Sequence, residues 1–501
     1  MSAIAFDALD RAPVDVCLVA EGCYPHVSGG VSSWIDWLIR SLPEKTFGVV
    51  SIVSGREDLT PRYERPANLT RLDSVALHDR PRPALIGMRS RLGASGGDGA
   101  ALAADLALFL RSGSLEALAR IDALVRERGA AGAIEGETGW AALVGTYRAL
   151  MPHASFAHFY WAWRSLVGGL VRVLDAPLPQ ARVYHAVSTG YAGLLAARAA
   201  LAGARSVLTE HGIYTNERRI EVLMADWIVD TVDSGLSVAD PRPDLRDLWT
   251  MAFESYARAC YAACADITTL YGDNQDLQRA LGAEPARLRV IPNGIDLSRF
   301  DGVRRAPGGR PTMALIGRVV PIKDVKTFVA AAAMVRRAVP DLRALVLGPT
   351  DEDPGYAAQC EALGSELGLG DALLFAGKVD VREWLGEIDV VVLTSLSEAQ
   401  PLSLLEAGAA AIPCIATDVG SCREIIEGSR DESPALGAGG VVVPLGSTAE
   451  IAAACAALLR DPEERARMGE RLRRRVRRSY GSDRARDAYR ALYSDQRGGG
   501  A

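Results

Sequence analysis

The chain has 501 residues, more than one hydrophobic core ordinarily serves, so two large domains are expected. It is 49% hydrophobic and 24% charged, an ordinary globular composition, and its formal net charge of -6 argues against a general nucleic-acid partner. No stretch reaches the roughly 18–20 unbroken apolar residues of a spanning helix.

Met1–Pro13 has no basic segment followed by an apolar one, so no secretory leader is expected. The eight cysteines include no Cys-x-x-Cys pair and no finger-spaced histidine, which reads as reduced core thiols in a cytosolic chain.

In chain order, Val14–Ala20 is a short apolar run, followed by Gly29-Gly30 and a helical periodicity from Trp34. Strand, glycine-bearing loop and helix make the first unit of a doubly wound sheet. Val49–Val53 reads as a second strand, Pro61–Asp98 as irregular loop, and residues from about 100 to 165 as a helical insertion. Strands resume at Val183–Val187, Ser206–Leu208, Asp266–Leu270 and Leu288–Ile291, with helices between them. The Gly- and Pro-bearing segment Gly302–Pro311 is the expected boundary. Beyond it, strands at Thr312–Ile316, Arg343–Leu347, Ala372–Ala376, Val390–Thr394 and Pro413–Ala416 alternate with helices. The division is an N-terminal Rossmann-like domain over 1–300, a C-terminal one over 301–475, and a tail over 476–501. The fold class is therefore α/β, with two doubly wound halves.

Ligands of such sheets sit beyond the carboxyl ends of the strands, and the candidate site residues lie just there. Arg318 and Lys323 follow the Thr312–Ile316 strand. An arginine offers a planar donor fork for phosphate oxygens and a lysine a mobile point charge. Glu398 and Glu406 lie eight apart around a helix start, where the amides of Leu402, Ser403 and Leu404 would be free to face an anion. Glu406, expected to be largely buried, would accept from ribose hydroxyls, and Glu398 would meet the sugar ring. Two carboxylates also serve hydrolases, but a simple glycoside has no phosphate for the cations to hold.

Gly29 and Gly30 can bring bare amides near a phosphate, though a plain turn is the ordinary use of such a pair. They form neither Gly-x-Gly-x-x-Gly nor a phosphate-binding loop. His211 could bond a sugar hydroxyl or simply sit in the core, and Glu210 beside it is a weaker candidate. Asp351-Glu352-Asp353 could hold a metal, but before Pro354 it reads better as a helix cap. Phe156–Trp163 with Arg164 could stack on sugars or bury as a cluster, and Arg471–Arg478 reads as a solvated helix face.

Gly317-Arg318 with Lys323, and Glu398 with Glu406, resemble the retaining glycosyltransferases of family 4, which have the GT-B fold. Three longer passages, Glu21–Trp34, Thr209–Arg219 and Gly317–Thr327, with Leu347–Asp353 as a fourth, resemble the PelF-like enzymes of bacterial Pel exopolysaccharide synthesis. The resemblance runs from about Val14 to Tyr480. It implies a UDP-sugar donor, Arg318 and Lys323 on the diphosphate, Glu406 on the ribose, Glu398 and His211 at the sugar, and Gly30 near the phosphate. It implies no metal or other cofactor, a polysaccharide acceptor met by the N-terminal domain across a cleft that closes, and inner-membrane synthesis and export proteins as partners. The tail would return to the N-terminal domain, and the chain would be cytoplasmic or peripheral at the inner membrane through those partners. Ala399 and Ala411 stand where this family has glycine, which implies added methyl groups in or near the donor site.

The expected function is transfer of a hexose or N-acetylhexosamine from a UDP-sugar to a growing polysaccharide. The alternative is a catalytically silent UDP-binding scaffold subunit. A glucan phosphorylase would need a cofactor lysine, a phosphate site and a far longer chain.

Overall fold

Apolar runs of strand length, separated by amphipathic helices, build two parallel sheets in the computed structural model, which describes residues 12–55, 59–77, 96–225, 228, 244–303 and 308–495. The chain divides into two units. The first holds the described residues up to Thr269, Asn274–Arg289 and those from Tyr489 on; the second holds Leu270–Asp273 and Val290–Ala488. The chain thus passes into the second unit between Arg289 and Val290, ahead of the Gly302–Pro311 segment, of which 304–307 lie outside the described residues.

In the first sheet, β1 (Val14–Glu21), β2 (Phe47–Val53), β3 (Leu69–Ala76), β4 (Ala181–Ala186), β5 (Arg205–Glu210), β6 (Asp266–Thr269) and β7 (Leu288–Val290) lie in the order β3-β2-β1-β4-β5-β6-β7. The pairings from β3 to β6 are all parallel. Central strands are apolar on both faces: every residue of β1 from Val16 to Ala20 is fully buried. Between β3 and β4 run the helices Gly96–Ser112, Leu115–Ile134, Gly136–Leu150 and Phe156–Asp175, which pack into the same core as the sheet.

The reading of Pro61–Asp98 as loop is corrected by β3. Only Leu69 of β3 is buried, because an edge strand has one neighbour and tolerates Thr70, Arg71, Asp73 and Ser74. Its polar residues hid it from a search for apolar runs. The last residues of the Pro61–Asp98 stretch, 96–98, open the helix Gly96–Ser112, while residues 78–95 and most of the Met1–Pro13 segment lie outside the described residues.

The second unit contains β8 (Thr312–Ile316), β9 (Arg343–Leu347), β10 (Leu373–Gly377), β11 (Val390–Leu393), β12 (Cys414–Thr417) and β13 (Gly440–Val443), all parallel, in the order β10-β9-β8-β11-β12-β13. Alternate residues feed opposite cores, as the two-residue period of a strand requires. Met313 and Leu315 join one cluster with Phe328 and Ile451, while Ala314 joins another with Leu404 and Leu472.

The final helix, Ser482–Ser494, ends in the first unit, where Tyr489 and Tyr493 are buried. The Tyr493 hydroxyl meets His185 Nδ1 at 2.6 Å, and His185 Nε2 meets Thr209 Oγ1 at 2.7 Å. All eight cysteines are free. Among the described residues no helix is long and apolar enough to cross a membrane.

Candidate functional site

In an open parallel sheet a ligand crevice forms outside the carboxyl ends of the strands, where the strand order reverses. In the second sheet that point lies between β8 and β11. Gly317, Arg318 and Lys323 leave β8, and Ser395 and Glu398 leave β11. The two loops are stitched together: Leu396 N–H donates to Ile322 O at 2.8 Å, and Thr394 Oγ1 donates to Lys323 O at 2.8 Å. Lys323 Nζ then forms an ion pair with Glu398 Oε1, and Ser395 Oγ donates to the same oxygen at 2.6 Å. The cation and carboxylate read separately in the sequence are thus one partly buried pair.

Arg318 behaves differently. Its guanidinium is about half exposed and is paired with Glu352, within the Asp351–Asp353 stretch. An exposed pair of this kind contributes about 0–1 kcal/mol, so its separation costs little. Its loop is set by backbone contact: Gly317 N–H donates to Leu347 O at 3.0 Å and Val319 N–H to Pro349 O at 2.9 Å. A Cβ at Gly348 would lie 1.9 Å from Gly317 O, so only glycine fits that crossing. Asp353 caps the next helix by accepting from Tyr356 N–H at 3.0 Å.

The helix Leu402–Ala409 follows Pro401. The expectation of three free amides needs one correction: Leu404 N–H donates to Pro401 O at 3.2 Å, which leaves those of Leu402 and Ser403. Glu406 is largely buried, as expected, and its carboxylate makes no hydrogen bond or ion pair among the described residues. Desolvation raises its pKa, while Arg299 acts to lower it. Such a group is ready to accept from ligand hydroxyls.

The two alanine departures separate. Ala399 is held by its carbonyl, which accepts from Ser421 N–H at 2.9 Å; a Cβ at Gly420 would lie 2.2 Å from Glu398 O, so Gly420 allows the two loops to touch. Ala411 is not near the helix start. It lies past the helix end with φ 60, the left-handed position that glycine fills at a helix C-terminus, and Ile412 N–H donates back to Ala407 O at 2.9 Å. Its methyl group bears on backbone strain, a correction to its reading as a donor-site change.

In the first unit the strand order reverses between β1 and β4. Gly29 precedes the helix Gly30–Ser41, whose first internal bond runs from Ser33 N–H to Gly29 O at 2.9 Å, so the amides of Gly30, Val31 and Ser32 precede the ladder. A Cβ at Gly29 or Gly30 would meet nothing within 4 Å, and Gly29 has an extended φ of 172. Neither packing nor backbone shape in the folded unit requires glycine at this pair.

His211 follows β5 and is 8% exposed, with both ring nitrogens unpartnered among the described residues. Trp34, from the Gly30–Ser41 helix, stands edge-on to it with centroids 4.6 Å apart, and Trp34 Nε1 is also buried with no hydrogen-bond partner among the described residues. Burial lowers the His211 pKa to about 4, so the ring is neutral at neutral pH. Helix start and histidine are thus joined through an indole that the sequence reading did not single out, although it closes the Glu21–Trp34 passage.

Glu210 is committed internally. Its carboxylate accepts from Tyr261 Oη at 2.6 Å and Gln278 Nε2 at 2.9 Å, and burial raises its pKa. Glu21, also missed, accepts from Tyr214 Oη at 2.7 Å and Ala192 N–H at 3.1 Å, tying β1 to two helices. Within Arg471–Arg478, Arg475 is not solvated: it is buried and donates to both oxygens of Glu432 at 2.6 and 2.8 Å and to Ile426 O at 2.7 Å.

Comparison with known proteins follows this division. Residues 299–475 match the family described as "Glycosyl transferases group 1". A D-inositol 3-phosphate glycosyltransferase from Kineococcus radiotolerans is 32% identical over 224 residues, 41% of this chain and 51% of that one. The chain spans about half the length of the curated relatives it matches. Among solved structures, sucrose-phosphate synthase from Thermosynechococcus elongatus is similar with a TM-score of 0.56 at 17% identity, covering 96% of this chain and 98% of that one. Anabaena Alr3699/HepE in complex with UDP-glucose is similar with a TM-score of 0.54 at 11% identity, covering 96% and 99%. These likenesses establish the fold class, two Rossmann-like α/β domains of the GT-B type. The "Domain of unknown function (DUF3492)" model matches residues 14–286, more than half of the 501, and the chain belongs to that family.

Proposed function

We propose that the chain is a retaining, metal-independent glycosyltransferase that moves a hexose or N-acetylhexosamine from a UDP-sugar to a growing exopolysaccharide of the Pel type, in the cytoplasm. The observation that carries this reading is the grouping at the β8/β11 switch point of an ion-paired Lys323 and Glu398, an accessible Arg318 and the start of the Leu402–Ala409 helix, which also bears the uncommitted Glu406. The group 1 match over the same residues and the likeness to D-inositol 3-phosphate glycosyltransferases support the class. The complex of Anabaena Alr3699/HepE with UDP-glucose, on a similar fold, supports the donor.

In this reading Arg318 leaves Glu352 for the donor diphosphate, and Lys323 neutralises the charge that builds as the C1–oxygen bond to the diphosphate breaks. Glu406 accepts from the ribose hydroxyls and Glu398 from the donor sugar. The acceptor hydroxyl attacks C1 from the face the diphosphate leaves, its proton passes to the departing phosphate oxygen, and configuration is retained. His211, neutral and unpartnered in the first unit, is available to a sugar hydroxyl. The four passages that resemble PelF-like enzymes support the Pel assignment and the expectation of inner-membrane synthesis and export partners.

The test is UDP release and anomeric configuration by NMR for a panel of UDP-hexoses and UDP-N-acetylhexosamines in EDTA. Turnover with retention is expected for at least one donor. Calorimetric UDP binding without turnover of any donor, even with membrane partners added, would overturn the reading in favour of a silent UDP-binding scaffold.

A further inference from the structure

We propose that a pocket in the helical part of the first unit, bounded by Trp140, Tyr160 and Trp163, binds a saccharide. The saccharide class rests on the glycan chemistry proposed above; the pocket does not. Its volume of about 320 Å³ falls at the small end of the roughly 300–1,000 Å³ typical of small-ligand sites, room for a short sugar.

Local sequence explains why the pocket exists. Between the helices Leu115–Ile134 and Gly136–Leu150 the chain turns at Gly136, whose φ is +65. A Cβ at Gly139 would lie 2.2 Å from the Ile134 carbonyl, so glycine is required for so sharp a corner. The next residue, Trp140, is 57% exposed. The helix Phe156–Asp175 supplies Tyr160, Trp163 and Arg164, which share one face by their three- and four-residue spacing. A further indole, Trp161, is 69% exposed and stands edge-on to Tyr160 with centroids 5.1 Å apart. Single exposed apolar residues are ordinary; an exposed indole on the rim of an aromatic-lined pocket is a place for a ligand to stack.

The polar groups narrow the ligand class. Arg164 and Glu135 line the pocket, supplying a donor fork and an acceptor. A purely apolar occupant would cover both charges without compensation. A sugar ring offers an apolar C–H face for the exposed indole of Trp140 and hydroxyls for Arg164 and Glu135.

The test uses the full chain, with calorimetry and saturation-transfer NMR against maltotriose and triacetylchitotriose. Saturable binding of at least one is expected, weakened at least about tenfold in Trp140→Ala and in Arg164→Ala, with UDP binding unchanged in both variants. Trp140 is exposed, so its variant should fold, as circular dichroism will verify. Absence of saturable binding by either trisaccharide, or unaltered affinity in both folded variants, would overturn the proposal. So would a second equivalent of bound UMP that Trp140→Ala abolishes, which would make the pocket a nucleotide site. Trisaccharide binding without any UDP binding would count against the proposed donor chemistry alone.

Discussion

Lys323 Nζ and Glu398 Oε1 form an ion pair that joins the loops leaving β8 and β11, neighbours in the sheet but 75 residues apart in the chain. A cation already matched by a carboxylate rests at low cost in a partly buried place, and a diphosphate can compete for it. Removing either partner leaves the other uncompensated.

Lys323→Ala and Glu398→Gln are each expected to lower kcat/KM for the UDP-sugar by about 10²–10³, the cost of losing one transition-state contact. Because the two act as a unit, the double variant should fall little further than the worse single one. Steady-state UDP release measures this. Losses that multiply fully in the double variant would show that the residues work independently.

Glu406→Gln tests the ribose contact. Hydrogen bonds to a charged group contribute about 1.5–3 kcal/mol, so UDP affinity should weaken by roughly 10- to 150-fold with little change in the unfolding midpoint of the free protein. Calorimetry with UDP, and with free uracil as a probe lacking the ribose, reads the difference. Equal UDP affinity in the variant would remove Glu406 from the site.

Burial lowers the pKa of His211 to about 4 and that of His185 to about 3. Below the unfolded value of about 6.5 the unfolded chain therefore binds more protons than the folded one, and stability falls as pH drops from about 6.5 towards the folded values. The expected slope is about 1.4 kcal/mol per pH unit for each histidine. Urea unfolding at about pH 7 and about pH 5 should show the loss, and His211→Gln should reduce it. An unchanged pH dependence in that variant would mean His211 is already solvated.

Ala411 holds φ 60 at the end of the Leu402–Ala409 helix. The left-handed region costs a non-glycine residue about 1–2 kcal/mol, and glycine gives back about 0.4–1 kcal/mol through unfolded-chain entropy. Ala411→Gly should therefore stabilise the second unit by roughly 0.5–1 kcal/mol without altering UDP affinity. Thermal unfolding checks the sign; a lower midpoint would mean the methyl group contributes packing that outweighs the strain.

Local sequence was enough to set the α/β class. Buried parallel strands such as Val390–Leu393 are apolar throughout, and amphipathic helices separate them, so local pattern and fold agree. It also placed Arg318, Lys323, Glu398 and His211 just after strands, because such positions can be read from the chain one segment at a time. Which strands are neighbours came from the folded chain alone, and with it the meetings of Lys323 with Glu398, Arg318 with Glu352 and His211 with Trp34. The fold also recovered β3, which an edge position leaves polar, and assigned Ala411 to a helix end rather than a donor site. Side-chain partnerships across a sheet depend on strand order, and strand order is fixed by packing that no single segment contains.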